Sequence, residues 1–306
     1  ALEAEDTVSV VFRMTHPEFT PSEEEFEQVL AIGGVAELDL SVQNTGNGPL
    51  EWSVSTGLRG DANAEPWTLR RSHFVGAQVE DGYIYGVVFA DDLYYVSGAH
   101  DGNPQIYIFN ENGEFLNSFD QPGDDARGFK DLAFDGELIW GAVGNMVYGI
   151  TPDGELVGEF QSPHNPTTVL TWDTDRECLW IGSTTRNPLA YTREGEPFND
   201  LEVNRNDLRL YGLAYLPDDP DNSPLYIYHK ERGTNRHTVH KINIEENDTT
   251  FVAYLDPEAG GSPVGAYITN TVDYLTWVMM TIVSGSANDG GDRIDLYQVS
   301  ANTAWL

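Results

Sequence analysis

From Trp67 to its C-terminus this chain repeats itself, and the repeat limits what it can fold into more than any other feature. Five quartets align: Gly86-Val87-Val88-Phe89, Asp131-Leu132-Ala133-Phe134, Val169-Leu170-Thr171-Trp172, Gly212-Leu213-Ala214-Tyr215 and Gly265-Ala266-Tyr267-Ile268. Each is followed by a turn and a second strand-like run: Leu93–Val96, Leu138–Trp140, Leu179–Ile181, Leu225–Tyr228 and Leu275–Val278. A third run then enters a tight turn, at Asn112-Gly113-Glu114, Asp153-Gly154-Glu155 and Glu194-Gly195-Glu196. The turn glycines lie 41 residues apart in both steps, 113 to 154 to 195. Four short strands in a unit of about 40 residues is the arithmetic of a propeller blade. Five units can be counted, with Trp67–Val75 left over before the first and an abrupt end at Ala304-Trp305-Leu306. The expectation is an all-β chain whose residues 66–306 form a β-propeller. The N-terminal strand would complete the last blade and remove an open edge. Five blades fit best, with six as the alternative if Trp67–Val75 belongs to a degenerate extra blade.

Residues 1–56 differ in character, and 57–65 read as a polar linker. Four strand candidates fit the first stretch. Thr7–Thr15 puts Val8, Val10, Phe12 and Met14 on one face, because alternate residues of a strand point the same way. A second lies around Phe26–Ile32. A third puts Ala36, Leu38, Leu40 and Val42 inward, and a fourth does so with Leu50, Trp52 and Val54. Between the last two, Asn44-Thr45-Gly46-Asn47-Gly48-Pro49 reads as a hairpin turn whose Asn and Gly residues accept positive φ. The run from Leu40 to Val54 resembles the immunoglobulin-like modules of bacterial secreted multidomain proteins. Such a sandwich takes roughly seven strands, so this segment is an incomplete one.

Charge is the extreme feature of the composition: 16 basic against 50 acidic residues, a net charge of −34. That surface excludes nucleic acid and anionic membranes as partners, since phosphate binding needs Lys and Arg to displace counterions. Only Lys130, Lys230 and Lys241 are lysines. An acid-rich, Lys-poor balance suits a marine or halophilic protein, whose self-repulsion salt screens. Cys178, the single cysteine, lies in the apolar run Cys178-Leu179-Trp180-Ile181 and reads as a buried small hydrophobe. No run is apolar and long enough to insert in a membrane. The opening Ala1-Leu2-Glu3-Ala4-Glu5-Asp6 reads as a processed N-terminus.

Lys130-Asp131-Leu132-Ala133-Phe134-Asp135-Gly136 with Trp140, and Tyr211-Gly212-Leu213-Ala214-Tyr215, resemble the repeats of a family of secreted bacterial propellers, often joined to sorting or immunoglobulin-like modules. The resemblance implies the fold and an extracellular or cell-surface location, and carries no catalytic residue, since fold does not imply function.

Candidate chemistry is sparse. Asp91, Asp92, Asp131, Asp135, Asp173, Asp175 and Glu177 mostly fall in first-to-second-strand turns, where Asp serves backbone geometry. Asp131 stands apart: its counterparts in the other repeats are Gly86, Val169, Gly212 and Gly265, so one acid breaks the pattern at a channel-facing position. His237 and His240 spell His-x-x-His, but residues three apart on a strand point to opposite faces, and a zinc site needs more ligands. Calcium is the expected cofactor if there is one. The oxygen-rich loops Asp218-Asp219-Pro220-Asp221-Asn222 and Asn288-Asp289-Gly290-Gly291-Asp292 could wrap a hard cation through Asp218, Asp219, Asp221, Asp289 and Asp292. Arg59-Gly60-Asp61 and the sequon Asn247-Asp248-Thr249 are short matches that chance supplies.

Missing strands in the N-terminal segment leave an open edge and a half-covered apolar face, which something must cover. Docking on the propeller is one solution; exchange of Thr7–Thr15 between copies, through Val8, Val10, Phe12 and Met14, is the other and would make a head-to-tail filament. The functional expectation is a non-catalytic extracellular structural or adhesive protein that self-associates through this strand, with an extracellular protein or glycan as further partner. The alternative is a secreted propeller hydrolase or lyase acting at the channel mouth.

Overall fold

A computed structural model describes residues 11–24, 26, 36–52, 64–255, 260–273, 276–285 and 291–300. The chain divides into two compact units, Ala1–Gly57 and Leu58–Leu306.

The larger unit is a five-bladed β-propeller. Blade 1 comprises Ile84–Ala90, Leu93–Gly98, Gln105–Phe109 and Phe115–Asp120; blade 2, Leu132–Phe134, Ile139–Val143, Met146–Ile150 and Leu156–Gln161. Blade 3 comprises Val169–Asp173, Cys178–Ser183, Arg186–Tyr191 and Pro197–Glu202; blade 4, Gly212–Tyr215, Leu225–Lys230, His237–Asn243 and Asp248–Leu255. Blade 5 takes Ser262–Asp273, Thr276–Ser284 and Arg293–Gln298 from the end of the chain, and its outer strand, Leu69–His73, from the start. Ile294 pairs with His73 and Leu296 with Arg71. The leftover strand is thus the closing strand, and the ring has five blades.

The core lies between the blades. Five apolar clusters each join two neighbours, the last linking blade 5 to blade 1 through Val278, Met280, Ile282 and Val87, Phe89, Tyr94. Strand alternation does this: Met280 faces blade 1 while Met279 faces blade 4. Cys178 is one of these core residues, and burial pushes its thiol up to about 12.

The three repeat glycines have one physical explanation. Gly113, Gly154 and Gly195 all hold positive φ (75°, 89° and 82°). A Cβ at each would collide with the outer strand of the preceding blade: His73, Phe119 and Phe160 respectively. That His73 takes the place of Phe119 and Phe160 marks Leu69–His73 as the equivalent outer strand.

A second device recurs in the first-to-second-strand turns. In blade 2, Asp135 accepts the Trp140 indole N–H at 2.7 Å and pairs with Arg193 at 2.9 Å. In blade 3, Asp173 does the same with Trp180 and Arg176. In blade 4, Asp219 takes the Tyr226 hydroxyl at 2.7 Å and the Lys241 ammonium at 3.1 Å. Each carboxylate also accepts backbone N–H groups of its own turn. A buried indole or phenol needs a partner for its polar atom, and a buried acid needs donors and a cation; each triad meets both needs.

In the smaller unit, the described residues contain one two-stranded sheet, Phe19–Pro21 against Val42–Asn44. This corrects the strand assignments. Residues 11–15 of the expected first strand lie outside any strand, as do 36–41 and 50–52. Val8, Val10 and most of the second candidate fall outside the described residues. The turn at Asn44–Pro49 does not close a hairpin on the described residues 50–52. Instead it folds onto His16–Glu18: Thr45 N–H donates to Glu18 O, those of Asn47 and Gly48 donate to His16 O, and Asn44 Oδ1 accepts from Glu18 N. Side-chain and backbone hydrogen bonds to an upstream segment decide that pairing over local turn chemistry.

Candidate functional site

The five inner strands converge on the propeller axis, each presenting an unpaired edge of N–H and C=O groups that has to be satisfied. In four of the five repeat quartets the residue at the second place points its amide inward, and one side chain meets them. Asp131 is fully buried. Its Oδ1 accepts from Leu132 N (3.1 Å) and Ala266 N (3.4 Å), and its Oδ2 from Leu213 N (3.3 Å) and Leu170 N (3.4 Å). Blades 2, 3, 4 and 5 are tied to one carboxylate. Blade 1 makes room for it: a Cβ on Gly86 would meet the Asp131 backbone at 2.7 Å. Burial pushes the Asp131 carboxyl well above its ordinary range, against the four amides, which hold it down. The one acid that interrupts the repeat is therefore an axial rivet that closes the channel.

Two shallow mouths remain. At the end where inner strands finish, a cavity of about 230 Å³ is lined by residues including Trp172, Tyr215, Tyr267 and Trp277. At the end where they begin, about 170 Å³ is lined by Tyr85, Lys130, Thr168, Thr184, Leu210, Tyr211 and Val264. Lys130 follows from the fold: it precedes Asp131 and is half-buried at the rim. Its ammonium stands 3.3 Å from the centre of the Tyr85 ring and donates to Arg127 O at 2.8 Å. Burial, with Arg127 adding repulsion, pushes its pKa down to about 8. A half-buried amine in a cleft, with a depressed pKa, has the character of a functional group.

Beside this mouth lies a groove of about 800 Å³ between the Pro163–Pro166 turn and the blade 3 hairpin at Ser183–Asn187, with Glu202 and Arg205 on its wall. Residue order gave no signal for it, because its parts come from four separate segments.

The two oxygen-rich loops are held by contacts of their own. Asp219 and Asp221 close on Lys241, whose Nζ lies 3.1 Å from both Asp219 oxygens and 2.6 Å from Asp221. Asp218 takes positive φ at the edge of a separate cavity. Asp292 is buried and accepts Ile84 N and Gly285 N, both at 2.9 Å. Asp289 lies outside the described residues. Among the described residues no three His, Cys, Asp or Glu side chains form a metal-holding group. His237 and His240 do point apart: His237 bonds Tyr228 at 2.5 Å, and His240 bonds His229 at 2.8 Å. Phe12 and Met14 are solvent-exposed.

No family profile and no curated protein matches this chain. Among solved structures it is similar to Myxococcus xanthus glutaminyl cyclase, at 12% identity over 77% of this chain and 100% of that chain, with a TM-score of 0.52. It is also similar to the tail fibre of Staphylococcus aureus phage P68, at 11% identity over 71% of this chain and 49% of that one, with a TM-score of 0.45. At such identities the first likeness shows the fold alone, and it is that of a β-propeller.

Proposed function

We propose that this chain is a non-catalytic extracellular structural or adhesive protein that assembles through its N-terminal unit. The observation that carries this reading is the unit's exposed apolar surface. Val11, Phe12, Met14, Phe19, Phe26, Leu38, Leu40 and Trp52 are all exposed, from 41% for Phe26 to 90% for Val11. They surround a two-stranded sheet, which on its own is marginal in water. A strand donated by a second copy would cover those side chains and pair an open edge together. Such an exchange is heterologous and does not close, so the product is a filament. The −34 charge favours a salty medium in which copies approach without strong repulsion. Asp131 supports the non-catalytic part, since the axis is spent on tying blades together.

The test compares the chain with a variant lacking residues 1–15, by negative-stain electron microscopy and light scattering. Filaments or large particles in the first and monomers in the second are expected. Identical monomers in both overturn the assembly.

Lys130 favours a second reading, a hydrolase or lyase working at the channel mouth, because an amine that is half neutral near pH 8 can act as base or nucleophile. Turnover of a chromogenic ester or glycoside that Lys130→Met abolishes would establish it over the first.

A further inference from the structure

The repeat builds one end of the propeller axis out of aromatic rings. In blades 2, 3 and 4 the fourth place of the quartet lies at or next to the end of the inner strand. Its residues there, Phe134, Trp172 and Tyr215, all line the cavity of about 230 Å³ at that mouth. Tyr267 and Trp277 complete the lining from blade 5. Phe134, Tyr267 and Trp277 are half-buried and keep part of their surface open.

The charge around these rings is negative. No Lys or Arg is in the lining, among the described residues. Burial raises the pKa of the Tyr215 and Tyr267 hydroxyls, and carboxylates raise both further, Asp175 and Asp173 at the first and Asp135 at the second. Asp173 and Asp135 have their own cations, Arg176 and Arg193. Asp175 has none within ion-pair distance among the described residues, and accepts the Tyr215 hydroxyl at 2.7 Å. Tyr215 also borders a second cavity, of about 520 Å³, where Asp175, Asp218, Glu245 and Glu246 share the wall with one cation, Arg176. Electron-rich ring faces within such a field attract a cation.

The polar groups of the lining select the kind of cation. Asp135 is already spent: Oδ1 accepts from Glu137 N and Leu138 N, and Oδ2 takes the Trp140 indole N–H and Arg193. The Thr269 hydroxyl bonds that of Thr271 at 2.8 Å. A primary ammonium brings three N–H donors that need acceptors, whereas a quaternary ammonium brings charge and methyl groups alone. A sugar also needs free polar partners, and the cavity is smaller than the roughly 300–1,000 Å³ in which larger ligands bind. One cation–ring contact is already built at this mouth, with the Arg193 guanidinium 5.0 Å from the centre of the Trp172 ring. We propose that this mouth binds the quaternary ammonium group of a small molecule against the rings of Phe134, Tyr267 and Trp277. The site lies in the propeller, so it does not depend on assembly through the N-terminal unit or on any reaction at Lys130.

The experiment is calorimetric titration of the full chain with choline, ethanolamine and dimethylbutanol. Ethanolamine keeps the charge but carries N–H donors, and dimethylbutanol is the uncharged tert-butyl copy of choline. Choline should bind about tenfold more tightly than either. Trp277→Leu should weaken choline binding by about fivefold, the order of one cation–ring contact. Tyr83→Leu, which removes an exposed ring outside the lining, should leave it unchanged. Should Trp277→Leu fail to fold, the ranking of choline against its uncharged copy on the unaltered chain still decides. Equal binding of choline and dimethylbutanol, ethanolamine matching choline, equal losses in the two variants, or no binding of millimolar choline would overturn the proposal. Tighter binding of a trimethyl-lysine peptide than of choline would overturn the small-molecule ligand in favour of a modified protein side chain.

Discussion

Lys130 and Lys241 show how the same side chain takes opposite chemistry from its surroundings. Burial lowers both. At Lys130 no carboxylate among the described residues bonds the ammonium, Arg127 adds repulsion, and the pKa falls to about 8. At Lys241 the hydrogen bonds to Asp221 and Asp219 overcome burial and carry it above 10.5. With three lysines in the chain, competitive acetylation read by peptide mass spectrometry can resolve each. Lys130 should react with a midpoint near pH 8, and Lys241 should stay protected beyond pH 10.5. Between pH 8 and 10.5 the unfolded chain keeps a proton on Lys130 that the folded chain has released. Folding stability from this residue therefore rises with pH across that window, and below pH 8 the cost of burying the charge is fully present. Lys130→Met should flatten that slope; an unchanged slope would place the ammonium in solvent.

At the scale of elements, the blade is held by a small set of repeated local solutions. One is the third-to-fourth-strand glycine, which combines a left-handed backbone with contact against the preceding blade's outer strand. Gly154→Ala imposes both costs together, an L-residue at φ 89° and a Cβ 2.7 Å from the Phe119 ring. A loss of about 2 kcal/mol is expected from strain at such a position alone. The contrasting control is Gly136→Ala, where φ is 93° but nothing lies within 4 Å of the added Cβ. Chemical denaturation should rank Gly154→Ala as the more damaging. Equal losses would show that only the backbone matters. The other solution is the turn aspartate with its aromatic and cation. It also accounts for the acid-rich turns: Asp135, Asp173 and Asp219 are bound to indole, phenol and cation, and so hold the blades together.

For the whole molecule, closure is achieved twice, at the rim by Leu69–His73 and at the axis by Asp131. Asp131→Ala would leave the inward amides of Leu170, Leu213 and Ala266 facing a void. Each unsatisfied buried group costs about 1–3 kcal/mol, so a total loss of about 3 kcal/mol or more is expected. For a domain of this size that lowers the melting temperature by roughly 6–12 °C. A melting temperature unchanged in Asp131→Ala would refute the rivet, because water would then be serving the amides equally well.

The propeller could be read from residue order because its signals are local and repeated: quartets of alternating apolar residues, second-strand aromatics, and glycines 41 residues apart. The exception at Asp131 was equally visible, since a repeat makes any departure from it stand out. The N-terminal strands were misassigned where a turn with hairpin chemistry bonded upstream to His16–Glu18 instead of closing on residues 50–52. The partner of Asp219 could not be read either, because Lys241 is 22 residues away and arrives through strand pairing. The same holds for the groove. Arg186, Arg205, Asn187 and His164 carry no motif, and the packing of blade 3 with the crossings on either side of it brings them to one groove. Periodicity determines the architecture, whereas the meeting of non-repeating polar side chains is decided by tertiary structure, since it depends on how separate blades pack around one axis.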